Sequence, residues 1–242
     1  MCKKRYLVVL LLLTAILTVT ACNANIVDGS GDLITETREV SGFDSIDLSG
    51  SGEVIVTQGG SESLTVETDD NVMEHVETEV RGGTLHLGFE EGLNLIDPTR
   101  LIFTVGVDDL SELRISGSGD FEADSVDTDR FNVTVSGSGD VQIGDLMADS
   151  VEARISGSGD VDLAGEATTQ DVTISGSGKY RAGDLASESV EVSISGSGNA
   201  TVWATESLDS NISGSGTVNY YGRPSINSSG SGSGQINNLG EK

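Results

Sequence analysis

Residues 133–161 read VTVSGSGDVQIGDLMADSVEARISGSGDV. Two copies of Ser-Gly-Ser-Gly-Asp, beginning at Ser136 and Ser156, stand 20 residues apart, and apolar and polar positions alternate on both sides of each. Outward from this stretch the same Ser-Gly-Ser-Gly begins at Ser49, Ser116, Ser175, Ser195 and Ser213, and it recurs in the run from Ser229 to Gly234. From Ser116 the spacings are 20, 20, 19, 20 and 18. A period of that size marks a stacked repeat architecture.

Between motifs the alternation has the period of strands with one buried face. Five residues after each motif start come Phe121, Val141, Val161, Tyr180, Ala200 and Val218, and two further on Ala123, Ile143, Leu163, Ala182, Val202 and Tyr220. Between them stand Glu122, Gln142, Asp162, Arg181, Thr201 and Asn219. The approach to each motif alternates in the same way, with Leu113/Ile115, Val133/Val135, Ala153/Ile155, Val172/Ile174 and Val192/Ile194 facing inward. The expected period is therefore two short strands joined by a glycine-rich corner.

One such unit cannot bury its apolar edge alone. Copies stacked at the ~4.8 Å strand separation close each inward column into a ladder and pair the backbone of each coil with its neighbours, which is the logic of an all-β, parallel β-helix-like solenoid. Gly117, Gly137, Gly157, Gly176, Gly196 and Gly214 are expected to take positive φ at the corners, with serine hydroxyls beside them exchanging hydrogen bonds. A flexible Gly/Ser linker would not return at this period flanked by valine and isoleucine.

The first half is less regular. Ser49 and Ser116 are 67 residues apart, room for about three longer coils or for paired strands. Alternation persists in Val54-Ile55-Val56, Leu64-Thr65-Val66, Leu85-His86-Leu87 and Phe103 to Val107, and only Asn71 to Val76 offers a helical turn. Atypical terminal units are expected, because the ends of a solenoid must be covered against edge pairing.

The N-terminus carries Lys3, Lys4 and Arg5, an apolar run from Tyr6 to Val19, and then Thr20-Ala21-Cys22. Charged, apolar and small residues in that order form an export signal, and the run is shorter than the ~20 residues of a membrane-spanning helix. Val19-Thr20-Ala21-Cys22 resembles the lipobox of bacterial lipoproteins, although Val19 stands where leucine is usual. Cys2 leaves with the signal, so Cys22 has no partner for an internal disulfide, and lipidation explains it. A plain secretory signal with a chance cysteine is the alternative. The expected organisation is a lipoprotein signal at 1–21, a lipid-anchored tether at 22–25, an irregular β part at 26–115 and regular coils at 116–242, on an exported protein held at the cell membrane or cell surface.

The chain carries 13 basic and 39 acidic residues. Residues 1–21 hold three of the basic and none of the acidic ones, so the remainder stands at 10 against 39, a net −29. Such a surface repels phosphate backbones and anionic headgroups, which argues against nucleic-acid binding. With 36% hydrophobic residues in regular patterns, the chain is folded rather than a disordered polyanion.

The order SGFDSIDLSGSGEVIVTQG at 41–59, SLTVETDDN at 63–71, TEVRGGTL at 78–85 and then serial ISGSGD units resembles the head GIN domain family of auto-transporter adhesins, over roughly Ile26 to the C-terminus. The resemblance implies a right-handed β-helix-like fold, frequent attachment as a surface lipoprotein and no established activity. It offers no catalytic residue to carry over.

Acid/base hydrolysis needs two carboxylates facing one groove, and lyase chemistry needs a base beside cations. The doublets Asp69-Asp70, Glu90-Glu91 and Asp108-Asp109 do not form such a pair, because neighbours on a strand point to opposite faces. Arg114, Arg154 and Arg181 are scattered as salt partners for acidic neighbours, and His75 and His86 lack metal-ligand spacing. The expectation is a non-enzymatic surface binding, adhesin-like or structural module whose partners are glycans or envelope components. A polysaccharide-active β-helix lyase or hydrolase is the alternative, and a groove holding convergent carboxylates and an arginine would favour it.

Two candidate sites follow. Trp203, Tyr220 and Tyr221 lie in the last coils, where aromatic rings can stack on a ligand or close the end of the stack; alternation turns Trp203 and Tyr221 outward. Asp120, Asp140 and Asp160 occupy equivalent positions in three successive coils and should form a corner column. Either a bound Ca²⁺ offsets their repulsion or the side chains splay into solvent. Lys179, Asn199 and Thr217 end the column.

Overall fold

The structure is a computed structural model that describes residues 25–90, 92–96 and 100–242. The signal segment and Cys22 lie outside the described residues. Among those described, no helix is long and apolar enough to cross a membrane. The fold is a β-solenoid of about six turns.

Five long strands carry the regular part: Asp120–Gly137, Val141–Gly157, Asp160–Gly176, Lys179–Gly196 and Asn199–Gly214. Each pairs in parallel with the next, and the motifs lie in register, Ser136 on Ser156, Ser156 on Ser175, Ser175 on Ser195 and Ser195 on Ser213. The inward columns expected from alternation are buried throughout, including Phe121, Val141, Val161, Tyr180, Ala200 and Val218. Each fully buried Val, Ile or Leu contributes about 1.5–3 kcal/mol, so these ladders are the main source of stability.

The number of strands per period differs from expectation. A turn is one continuous strand of 16–18 residues that bends, its ladder to the next turn resuming after each shift in register. Register shifts between Ile143 and Leu146, Asp162 and Ala164, and Ala182 and Ala186 mark the bends. Beyond them runs a further inward column, Phe131, Val151, Gln170, Val190 and Leu208. It sits past acidic stretches such as Asp124 to Arg130, where extra outward residues interrupt the two-residue period.

At the corners the first glycine of each motif has the expected positive φ, +132° at Gly157. A Cβ there would stand 2.3 Å from the carbonyl oxygen of Gly137, so glycine is required by contact as well as by conformation. The second glycine has a separate role: a Cβ on Gly159 would meet Gly139 O at 2.2 Å and Val135 Cγ1 at 2.7 Å. Serine amides hold the corners, Ser138 N donating to Gly117 O and Ser158 N to Gly137 O at 2.8 Å each. The side chains of Ser116, Ser118, Ser136 and Ser138 are exposed, and the bonds that join these turns at the corners are those of the serine amides.

The irregular half resolves into paired strands. Ser45–Gly50 lies directly beside Glu112–Gly117, with Ser49 on Ser116, so the 67-residue separation is an insertion within the stack. Antiparallel pairs cover that end: Leu33–Arg38 with Ser63–Asp69, Ser63–Asp69 with Leu101–Val107, and Val76–Arg81 with Thr84–Phe89. One helical turn forms at Asp70–Met73. At the other end the inward column turns polar, from Val192 to Ser210 to Ser228, and the strand Ser225–Gly232 is exposed along its length. Polar residues there suit an exposed layer of the stack.

Candidate functional site

Outward side chains sit on a backbone fixed by parallel ladders, so each outer face displays columns of regularly placed groups. The aspartates form the expected column. Asp120 Oδ1 accepts the amide of Asp140 at 3.1 Å, Asp140 Oδ1 that of Asp160 at 2.9 Å, and Asp160 Oδ1 that of Lys179 at 3.1 Å. Each carboxylate thus meets a backbone N–H dipole of the next turn, which offsets part of the repulsion. The last is also paired with Lys179 Nζ at 3.4 Å and Arg181 Nη2 at 2.6 Å. Among the described residues no group of three or more His, Cys, Asp or Glu side chains is arranged to hold a metal ion.

Arg181 reaches Asp162 Oδ2 at 2.7 Å through its other terminal nitrogen. Partial burial disfavours the guanidinium's charge, but hydrogen bonds and charge from Asp160 and Asp162 outweigh it and raise the Arg181 pKa. The fork is a fixed cationic feature on an acidic surface.

The aromatic patch is divided by the alternation of its own strand. Tyr220 points inward and is only 8% exposed, so it belongs to the core and leaves the candidate patch. Trp203 and Tyr221 are half-buried on the outer face and are direct ladder partners. The Tyr221 ring reaches back along the stack, where a Cβ on Gly183 would come 3.1 Å from its Cε2. Lys242, on no obvious pattern in the sequence, lays its Nζ over both rings, 4.9 Å from the Tyr221 centroid and 5.6 Å from that of Trp203, and pairs with Asp184. The register shift between Ala182 and Ala186 opens this place, since the turn holding Trp203 is shorter than the one before it. The fall in motif spacing from 20 to 18 is a sequence feature that could have pointed there.

Shallow grooves run along the outer faces. One of about 360 Å³ is lined by Gln142, Asp162, Arg181, Gly183, Tyr221 and Lys242 among others. Another, of about 490 Å³, is acidic, with Asp127, Asp129, Asp149, Glu166 and Glu188 around the exposed Met147. A third, of about 560 Å³, holds Arg130 with Glu152, Asp171, Glu191 and Asp209, the combination that a polysaccharide-active enzyme would need. Those four carboxylates form a single ladder, however, while Arg130 heads the neighbouring ladder of Ser150, Thr169, Ser189 and Ser207. Carboxylates side by side on one wall do not flank a glycosidic bond from two sides. Of the two histidines, His75 pairs with Glu90 at 3.2 Å and His86 with Asp47 at 3.4 Å.

A capped parallel β-solenoid with acidic, grooved outer faces is the class that this geometry defines. Residues 42–224 match the family described as "Putative auto-transporter adhesin, head GIN domain", and the chain belongs to that family. It is similar to the crystal structure of a "putative adhesin" from Bacteroides fragilis, with 30% identity and a TM-score of 0.84 over 88% of this chain and 100% of that one. A "putative lipid binding protein" from Parabacteroides distasonis shares 28% identity at a TM-score of 0.77, over 89% of this chain and all of the other. A "putative adhesin" from Parabacteroides merdae shares 26% at 0.73, with the same coverage. No protein of curated function matches the chain. The adhesin descriptions point to a cell-surface or exported protein and to a non-catalytic role.

Proposed function

We propose that the chain is a cell-envelope lipoprotein, anchored through Cys22, whose solenoid is a non-enzymatic, adhesin-like module that contacts glycans or other envelope components. The observation that carries this reading is the outer-face groove lined by Gln142, Asp162, Arg181 and Tyr221. An aromatic face beside planar amide, carboxylate and guanidinium groups offers both stacking and directional hydrogen bonds, on a scaffold that loses little entropy when it binds.

The test is a binding screen of residues 23–242 against glycans and envelope extracts, repeated with Tyr221→Ala. Retention that the substitution weakens supports the reading, and retention indifferent to it moves the contact surface elsewhere. The enzyme alternative rests on Arg130 and the ladder from Glu152 to Asp209. Release of reducing or unsaturated ends from a polysaccharide, abolished by Asp171→Asn, would establish it in place of the binding module.

A further inference from the structure

We propose that Trp203, Tyr221 and Asp184 form a binding site for a primary alkylammonium group, which the side chain of Lys242 fills from within the chain. The inference deepens the binding-module reading by naming a ligand chemistry for the part of its groove that Tyr221 and Lys242 line.

Three observations converge on it. First, one ammonium nitrogen lies over two ladder-paired rings, 4.9 Å from the Tyr221 centroid and 5.6 Å from the Trp203 centroid, within the range where the ring quadrupole attracts a cation. Second, that nitrogen also donates to the carboxylate of Asp184. A carboxylate acceptor favours a cation that carries N–H groups over a fully alkylated one. Third, Lys242 is the better covered partner of its ion pair: its side chain is 25% exposed, against 77% for Asp184. The lysine is thus held in a partly enclosed place although its carboxylate partner is open to solvent.

The register shift supplies the space. Residues 183–185 have no ladder partners in the next turn, where Ala186 is already opposite Trp203. The extra residues carry Asp184 out beside the rings, and Gly183 leaves room for the Tyr221 ring, which an added Cβ would meet at 3.1 Å. The surrounding acidic surface raises the local concentration of cations. A tethered lysine therefore holds the site against solvent, and an amine presented from outside must displace it. Such tethering corresponds to an effective concentration on the order of millimolar.

Trp203 is the chain's single tryptophan, so its emission reports this site alone. In residues 23–242 carrying Lys242→Met, which keeps the chain length and removes the charge, n-butylammonium chloride at constant ionic strength should give a saturable change in emission. Half-saturation should fall on the order of millimolar. The unaltered protein should need at least about threefold more, and adding Asp184→Asn to Lys242→Met should weaken the response by about threefold or more. n-Butanol should give no saturable change, and choline should bind more weakly than n-butylammonium.

A linear response in Lys242→Met with an unchanged far-UV spectrum overturns the site, as does an equal response to n-butanol. Choline binding as well as n-butylammonium overturns the role of Asp184. Should Lys242→Met unfold, Lys242→Gln, which keeps most of the side chain's length and removes its charge, is titrated instead with the same criteria. The envelope-binding screen of the unaltered protein does not depend on the outcome of the ammonium titration, so the two readings fail separately.

Discussion

The hydroxyl of Tyr180 donates a hydrogen bond of 2.8 Å to Oε1 of Gln170 inside the solenoid, where the two residues are 0% and 2% exposed. The Gln170 amide in turn donates to Ser187 Oγ at 2.7 Å and to the carbonyl of Leu185 at 3.3 Å. This buried polar chain crosses the lumen between two inward columns that are otherwise largely apolar. It is satisfied at each polar atom named, which is the condition for a polar group to be tolerated there.

Removing one partner should therefore cost more than one hydrogen bond's net worth. Tyr180→Phe leaves Gln170 Oε1 buried without a donor and is expected to destabilise by about 1–3 kcal/mol. The double variant with Gln170→Met should lose less than the sum of the two single losses, as equilibrium denaturation of the four forms would show.

The same phenol predicts the alkaline limit of stability. Burial pushes its pKa well above the ordinary value of 10.0. A group whose folded pKa is raised contributes stability that is intact below the unfolded value and is lost as pH rises beyond it, because only the unfolded chain releases the proton. Unfolding free energy should fall above pH about 10, and Tyr180→Phe should reduce that slope. Equal slopes in the two forms would assign the alkaline limit to other groups.

The corners make a sharper structural prediction. Gly157→Ala forces a side chain to φ +132° and against Gly137 O, so it should cost at least about 3 kcal/mol or prevent folding. Gly60 has nothing within 4 Å of an added Cβ, and Gly60→Ala should stay within about 1 kcal/mol of the parent. Thermal unfolding of the pair checks it.

How far the sequence could be read depended on how strictly each position was repeated. Phe121 to Val218, Leu113/Ile115 and the motif glycines recur at a fixed phase, so their burial and stacking followed from alternation and period alone. The column from Phe131 to Leu208 was not legible, because bulges before it change the local period and Gln170 breaks its apolar pattern. The capping pairs were hidden for another reason: antiparallel partners such as Leu33 and Asp69 carry no repeat to align them. At the candidate site alternation correctly turned Trp203 and Tyr221 outward and Tyr220 inward. Nothing in the sequence showed that Lys242 would return to Asp184, since that contact depends on where the final turn ends.

Phase can be tested directly. Ile155 is 1% exposed, whereas Gln142 is on the outer face. Ile155→Asp should destabilise by several kcal/mol, on the order of 3–5, by burying an unpaired carboxylate, while Gln142→Asp should cost about 1 kcal/mol or less by adding a charge between Glu122 and Asp162. Comparable losses by chemical denaturation would show the inward phase to be wrong.

The central claim is that this solenoid is displayed from a membrane by an acyl chain on Cys22, and its most direct measurement is fractionation of cells expressing the full chain or Cys22→Ala, with metabolic labelling by a fatty acid. The account predicts that the full chain takes up label and sediments with membranes, and that Cys22→Ala takes up none and moves to the soluble fraction. A Cys22→Ala protein that stays membrane-bound to the same extent as the parent would contradict it.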